Sequence, residues 1–474
     1  MHNLLCFANE HTEYLLANFH VEPVQSHMLQ HQNIEIRITN PDTLSSKKVK
    51  TQEDSIIGIR TIPENIRYSN KLFSTVSPGK QWGSSSALPL PETYPVALPT
   101  LEVSKDLGQL MFYTLPISVS WIQAIPWKIQ AIPKQTAALQ NFTFIAPPLS
   151  LQRITDTLKH YTALYQWGDI GMYQLCAQMA NIAYPKHVDQ AVLLTAACMQ
   201  HAGFRVEIAW QQLTPVLIVT TLQELYDIPA LESPQQQVRH YLWAPTPFAS
   251  SNSTSVYWNE NLQSQKLKPL DLQDIRIPKF ESPVTERSIV FHDPVNRSSD
   301  TFSVRLNIAV LHFMESLPQM EQKVYFSRAL SEDVLQSLIP QLKSRIEGMR
   351  QHEALSWLLR FMQYSFPYVK DETQFGKEKV MFAEEALYYG YTDCEDRSVL
   401  FAALVEAVLK RPVVGIHFPG HVATAVLTAQ KEARGARVKY LGHTYMICDP
   451  SYKHGMPGAL PPELQHIKPR IIGN

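Results

Sequence analysis

Tyr391-Thr392-Asp393-Cys394-Glu395-Asp396-Arg397-Ser398-Val399-Leu400 is the stretch on which the fold turns. From there Val399, Leu400, Ala403, Leu404, Ala407 and Val408 recur on one face of a helix. Thr392 and Glu395 have capping-box spacing, which predicts a helix start at about Thr392. Cys394 then falls in the first turn, where unpaired N–H groups and the helix dipole favour a thiolate. Glu395 and Asp396 work against this, because nearby carboxylates disfavour another negative charge. A cysteine placed here needs a histidine partner.

The residues that follow supply one. Pro412 to Phe418 reads as a strand, Pro419-Gly420 as a turn, and His421 to Val426 as a second strand. Lys439-Tyr440 and Thr444 to Cys448 flank the turn Leu441-Gly442-His443, and the last strand stops at Asp449-Pro450 because proline cannot continue a ladder. Thiol, imidazole and carboxylate therefore fall at a helix start, a strand start and a strand end. If the strands are neighbours, His421 can deprotonate Cys394 while Asp449 orients the ring. His417 is the main rival imidazole, within a strand; His443 reads as solvated and His454 as a further candidate. Asp449 alone is an ordinary turn former, and a lone helical cysteine is more often a buried apolar residue. The combination raises both above those readings. Cys176, Cys198 and Cys448 sit in apolar periods and read as core.

The order helix-Cys, strand-His, strand-Asp resembles the papain-like core of the transglutaminase-like superfamily. Gln374-Phe375-Gly376, Asp393 to Arg397, Pro419 to Val426 and Ile447-Cys448-Asp449-Pro450-Ser451-Tyr452 look like the motifs of a bacterial subgroup of large transglutaminase-like proteins. The resemblance is strong from about Glu353 to the C-terminus and diffuse before it. It implies acyl transfer at an amide bond, by hydrolysis or transamidation, with Cys394 as nucleophile, His421 as base and Asp449 as orienter. The backbone N–H of Cys394 is the expected oxyanion donor, and Gln374 the candidate side-chain donor, set against a surface glutamine.

Further from the motif the period changes. Residues 1–145 read as β-rich, with strands at Ile34–Ile38, Ser55–Ile59 and Leu110–Tyr113 and an irregular Ser77–Pro99 connection. Leu151–Leu164, Met172–Ile182 and Asp189–Ala202 have helical spacing, followed by strands at Phe204–Ile208 and Val216–Val219. Ala249–Gln265 reads as a polar loop. Residues 285–312 read as strands, Ser331–Met349 and Glu353–Tyr364 as helices, and Asp371–Gly390 as a surface crossing. The basic stretch Lys431–Lys439 reads as a solvated hairpin excursion.

The middle region aligns with the C-terminal one: Val188–Leu194 with Glu395–Phe401, and Val206–Ile218 with Val414–Val426. His187 then stands at Cys394, Leu213 at His421 and Ala244 at Asp449. The expected architecture is α+β: a papain-like core with a cysteine-bearing helix on an antiparallel sheet (326–474), a connecting β-rich region (266–325), a degenerate copy (146–265) and a β-rich N-terminal region (1–145).

Bulk properties bound the function. Lys and Arg number 42 against 43 acids, which gives no reason to expect nucleic acid or an anionic membrane as partner. Five scattered cysteines, Cys6 among them, do not form a disulfide scaffold, and CxxC, HExxH, GxGxxG and P-loop patterns are absent. No metal or organic cofactor is implied. The opening residues lack a basic region and a long apolar run, so the cytoplasm is the default compartment, with export left open to a start further upstream. The expected substrate is a peptide or protein. The alternative is a binding or assembly protein that keeps the triad without turnover.

Overall fold

The structure is a computed structural model that describes residues 32–38, 59–61, 97–98, 109–118, 148–211, 213–231, 239–243, 254–260, 266–273, 278–429 and 434–473. Ser55–Gly58, Lys431–Ala433, Cys6 and nearly all of Ser77–Pro99 lie outside them. The fold is α+β, with helices packed on sheets that are antiparallel apart from one parallel pair, Gln32–Ile38 with Ile59–Thr61, in the larger sheet.

Two short strands, β1 (Gln32–Ile38) and β2 (Ile59–Thr61), and a hairpin, β3 (Gln109–Phe112) with β4 (Leu115–Ser118), come first. Helices α1 (Pro148–Leu164), α2 (Gly168–Ala183) and α3 (Val188–His201) follow. Then come β5 (Val206–Gln211), β6 (Thr214–Thr221), β7 (Ala230–Leu231), β8 (Arg239–Trp243) and β9 (Thr254–Glu260). These join β1 and β2 in one sheet of order β2-β1-β9-β5-β6-β8-β7. The first strands thus extend the middle sheet. The stretch expected as a polar loop supplies β9, whose backbone pairs with both β1 and β5.

A long ribbon, β10 (Val284–Asp293) and β11 (Ser298–Asn307), leads to α4 (Ile308–Glu315), α5 (Gln322–Phe326), α6 (Glu332–Arg345) and α7 (Gln351–Ser365). The strands expected over 285–312 therefore stop at Asn307, five residues short of that reading. Asn307 accepts from the Val310 N–H through its side chain and caps α4, a local signal that outweighs the β-branched composition of the first turn. Phe291 and Phe302 of the ribbon pack edge-on against Trp357 and Phe361 of α7.

The last unit holds α8 (Asp371–Gln374), α9 (Ala383–Tyr389), α10 (Cys394–Leu409), β12 (Val413–Phe418), β13 (His421–Leu427), β14 (Arg437–Tyr440), β15 (His443–Cys448) and β16 (Arg470–Ile472). Its sheet order is β14-β15-β13-β12-β16, antiparallel throughout. Asp371–Gly390, expected to cross the surface, is largely interior: Met381, Ala386, Leu387 and Tyr389 are fully buried. Its mixed composition hides an apolar set that only the neighbouring α10 and α4 complete. α10 packs against β12 and β13 on one side of the sheet. The other side forms a smaller cluster in which Ile416, Phe418, Ala423 and Ile447 meet Leu460 and Leu464.

The middle sheet repeats this connectivity. β9-β5-β6-β8-β7 matches β16-β12-β13-β15-β14 strand for strand, and α3 precedes β5 as α10 precedes β12. Gln211 pairs with Thr214 at the first hairpin, Phe418 with His421 at the second. Leu217 pairs with Trp243, and Thr424 with Cys448. This register sets Thr214, not Leu213, at the position of His421, a slip of one residue that apolar patterning cannot detect. His187 stands as far before β5 as Cys394 before β12, and Ala244 follows Trp243 as Asp449 follows Cys448. None of the three middle positions carries the residue found at its counterpart in the last unit.

Glu384 of α9 gives a test of burial in this unit. It is 1% exposed, and its Oε1 accepts from the Ser331 N–H at 2.6 Å. Burial pushes its carboxyl up to about 7, against the pull of that N–H. A carboxyl raised on folding contributes stability below its unfolded pKa and loses it as pH rises through the folded value. Wild-type unfolding free energy should therefore gain about 2 kcal/mol from this residue between pH 8 and pH 5. Urea unfolding of Glu384→Gln should show that share of the pH dependence removed.

Candidate active site

α10 begins at Cys394, with Asp393 as its N-cap in extended conformation. The capping box is formed by Asp393 and Asp396 in place of the expected Thr392 and Glu395; the Asp393 N–H donates to Asp396 Oδ2 at 3.3 Å. A shorter acidic side chain closes the box one residue later, and Cys394 takes the first helical position. Its own N–H is then one of the donors that a helix start leaves without an intrahelical acceptor. Gly390, in the left-handed region, makes the turn out of α9, and the Arg287 guanidinium occupies the space a Cβ would need.

The cysteine helix is docked on the start of β13. Ser398, one turn beyond Cys394, donates its hydroxyl to the Val422 carbonyl at 3.1 Å, and the Val422 N–H acts on the Cys394 sulfur to lower its pKa. The cysteine helix therefore meets the strand at the residue after His421. Gly420, at positive φ, allows the two-residue turn that brings His421 there. His421 Nε2 and Asp449 Oδ2 are 2.8 Å apart. Asp449 Oδ1 accepts from the N–H groups of Ser451 and Tyr452 at 2.9 and 3.1 Å, which fixes the carboxylate plane. Gln363 of α7 holds the same turn by donating to the carbonyls of Tyr452 and Gly455. Nε2 is engaged by Asp449, so Nδ1 is the ring nitrogen available to a thiol. All three are buried, Cys394 at 8% exposed, His421 at 2% and Asp449 at 1%.

His421 is thus the imidazole that meets Asp449. His417 lies half-buried in β12 opposite Arg470, His443 is exposed, and His454 bonds Tyr364. Cys176, Cys198 and Cys448 are fully buried. Gln374 is buried on α8 and lines a cavity of about 600 Å³ with Phe375, Lys377 and Lys379, closed on its far side by Tyr226 to Ile228 of the middle unit. It lies on the same short helix as Asp371, which belongs to the carboxylate group beside Cys394.

That carboxylate group escaped sequence reasoning. Asp371, Asp393 and Asp396 each bring an oxygen within 4.8 Å of the others, as do Asp393, Cys394 and Glu395 with their ligating atoms. All are buried. Oxygens so placed either share protons or take a hard cation. Burial first, then mutual repulsion, pushes Asp371, Glu395 and Asp396 well up from the usual carboxylate range. Spacing along the chain places Asp393, Glu395 and Asp396 together; Asp371 joins only through folding.

Glu395, expected to serve the helix cap, accepts a hydrogen bond from the Cys394 thiol. Burial, then Glu395, then Asp393 raise that thiol well above its ordinary value, against the pull of the Val422 N–H and the Arg397 guanidinium. The resting cysteine is a neutral thiol. Glu395→Gln removes the group that raises the thiol most after burial, and each unit of restored acidity is worth tenfold in thiolate at a pH below the thiol pKa. Iodoacetamide labelling of Cys394 at pH 7 should accelerate by about tenfold in this variant.

No family model, curated protein or solved structure matches the chain.

Proposed function

We propose that the chain is a thiol-dependent acyl-transfer enzyme acting on amide bonds of a peptide or protein, built on a transglutaminase-like, papain-like core. The observation that carries this reading is the 2.8 Å His421–Asp449 bond, at the start of the strand against which the cysteine helix docks through Ser398 and Val422. A neutral thiol beside Glu395 becomes a nucleophile only when a base takes its proton, and Nδ1 of His421 is the base the arrangement supplies. Sulfur then bonds to the carbonyl carbon, and the oxyanion faces the N–H of Cys394, with Gln374 as the side-chain candidate. Collapse breaks the C–N bond as His421 returns the proton to the leaving amine. Water or a primary amine next attacks the thioester, gives its proton to His421, and frees the thiol with an acid or a new amide as product. Asp449 keeps the ring in the tautomer that does this. The middle unit, with His187, Thr214 and Ala244 at the corresponding positions, serves packing and cleft formation.

One observation favours a second reading, a binding protein that has lost turnover: the thiol is covered and bonded to Glu395. A casein digest and a fluorescent primary amine separate the possibilities. Release of peptides marks hydrolysis, and incorporation of the amine marks transamidation. Either activity should vanish in Cys394→Ser. Neither activity in the wild type would favour the binding reading.

A further inference from the structure

Resting on the acyl-transfer reading, we infer that Arg397 is a positioning residue that locks the cysteine-bearing helix start to the strand end bearing Asp449. The side chain is 4% exposed and lies one helical turn beyond Cys394. Its Nε donates to Thr392 Oγ1 at 3.2 Å, Nη1 to the Pro450 carbonyl at 3.3 Å, and Nη2 to the Phe366 carbonyl. Three segments far apart in sequence end on this one group. Thr392 precedes the N-cap of α10, Pro450 follows Asp449, and Phe366 closes α7, whose Gln363 holds the turn after Asp449. The Phe366-to-Val369 segment also runs beside Thr392, through the Tyr368–Thr392 bridge and the Val369 N–H to the Thr392 carbonyl.

The chemistry of the contacts favours arginine specifically. Two carbonyls and a hydroxyl in different directions need a planar fork with several N–H donors, which an ammonium on a flexible stem does not reproduce. The guanidinium also lies over the Tyr368 ring, 5.4 Å from its centroid. Among the described residues no carboxylate forms an ion pair with it at 4 Å or less. Its acceptors are neutral, so its charge is left to act on the groups around it: Tyr368, Asp393, Asp449 and Cys394, with Lys453 as a neighbouring cation. A helix that was merely packed would not require a buried cation tied to both ends of the site. Here it sets how far the sulfur stands from the ring that Asp449 holds.

The test is single-turnover acylation by p-nitrophenyl acetate, followed as the nitrophenolate burst and mapped to Cys394, in wild type, Arg397→Lys, Thr392→Val and His421→Ala. Burst amplitude reports the fraction of folded sites, and the burst rate constant reports geometry. Arg397→Lys should keep at least nine-tenths of the amplitude and lose about tenfold in rate, the loss expected from a misplaced reacting group. Thr392→Val, a milder lesion that removes one acceptor, should lose about threefold and serves if Arg397→Lys fails to fold. On the His421→Ala background neither change should slow the reaction further, because the positioned partner is gone. A reduced amplitude with an unchanged rate constant would overturn the inference and leave Arg397 a purely structural residue. If wild type and His421→Ala acylate at the same rate, the acyl-transfer reading fails, and the inference fails with it.

Discussion

His421→Ala should slow acylation of Cys394 by about a hundred- to ten-thousand-fold, the range that a positioned general base contributes. The magnitude follows from the resting state of the sulfur. Burial, Glu395 and Asp393 hold the thiol protonated against the Val422 N–H and the Arg397 guanidinium. Without an imidazole the nearest acceptor is Glu395, itself buried and pushed up beside Asp393. A carboxyl pushed up in this way holds its own proton and is a poor base for the thiol. The measurement is the burst rate with p-nitrophenyl acetate, with stability checked by urea unfolding. A loss below about tenfold would mean that His421 does not serve as the base, whatever its bond to Asp449.

Phe361→Ala should cost about 3–5 kcal/mol of unfolding free energy, the range for truncating a buried aromatic ring. Phe361 is fully buried, and its ring centroid lies 5.4–6.0 Å from those of Phe291, Phe302, Trp357 and Phe366. This aromatic face and the Arg360–Asp293 ion pair hold the β10–β11 ribbon to α7, which keeps the surroundings from collapsing into the space left. The effect reaches the site as well. Phe366 bears a carbonyl that Arg397 grips, and Gln363 lies two residues along from Phe361. Urea unfolding followed by tryptophan fluorescence measures the loss. A change under about 1 kcal/mol would contradict the packing described.

How much of this was legible in the residues depends on where each signal resides. The cysteine helix, the hairpin at Pro419-Gly420 and the stop at Asp449-Pro450 are local features, readable from period and turn chemistry, and each lies where the sequence places it. The pairing of β13 with β15, which brings Asp449 to His421, was a supposition about neighbours that only the fold supplies. The interior position of Asp371–Gly390 was missed because its buried residues follow no single period. β9 was missed because serine and asparagine mask a strand whose pairing is entirely to distant partners. Thr214 was missed by one residue because hairpin register, not apolar pattern, decides which side chain starts β6. Glu395 reads as a helix cap in sequence and is the thiol acceptor in space. Arg397 stands in the motif in plain view, yet its partners Phe366 and Pro450 are 31 and 53 residues away.

The duplicated strand order gives the account its economy. One copy keeps cysteine, histidine and aspartate at three element ends; the other keeps the elements and has His187, Thr214 and Ala244 there. A scaffold that folds in both cases shows that packing alone does not require the triad.

The most direct test of the central claim is the rate of iodoacetamide labelling against pH, with the modified cysteine mapped by mass spectrometry in wild type and His421→Ala. Because the resting thiol is neutral and raised, labelling of Cys394 near pH 7 should be slower than that of a free thiol, and slower still in His421→Ala, which lacks the base that takes its proton. Labelling of Cys394 at the same rate with and without His421 would contradict it.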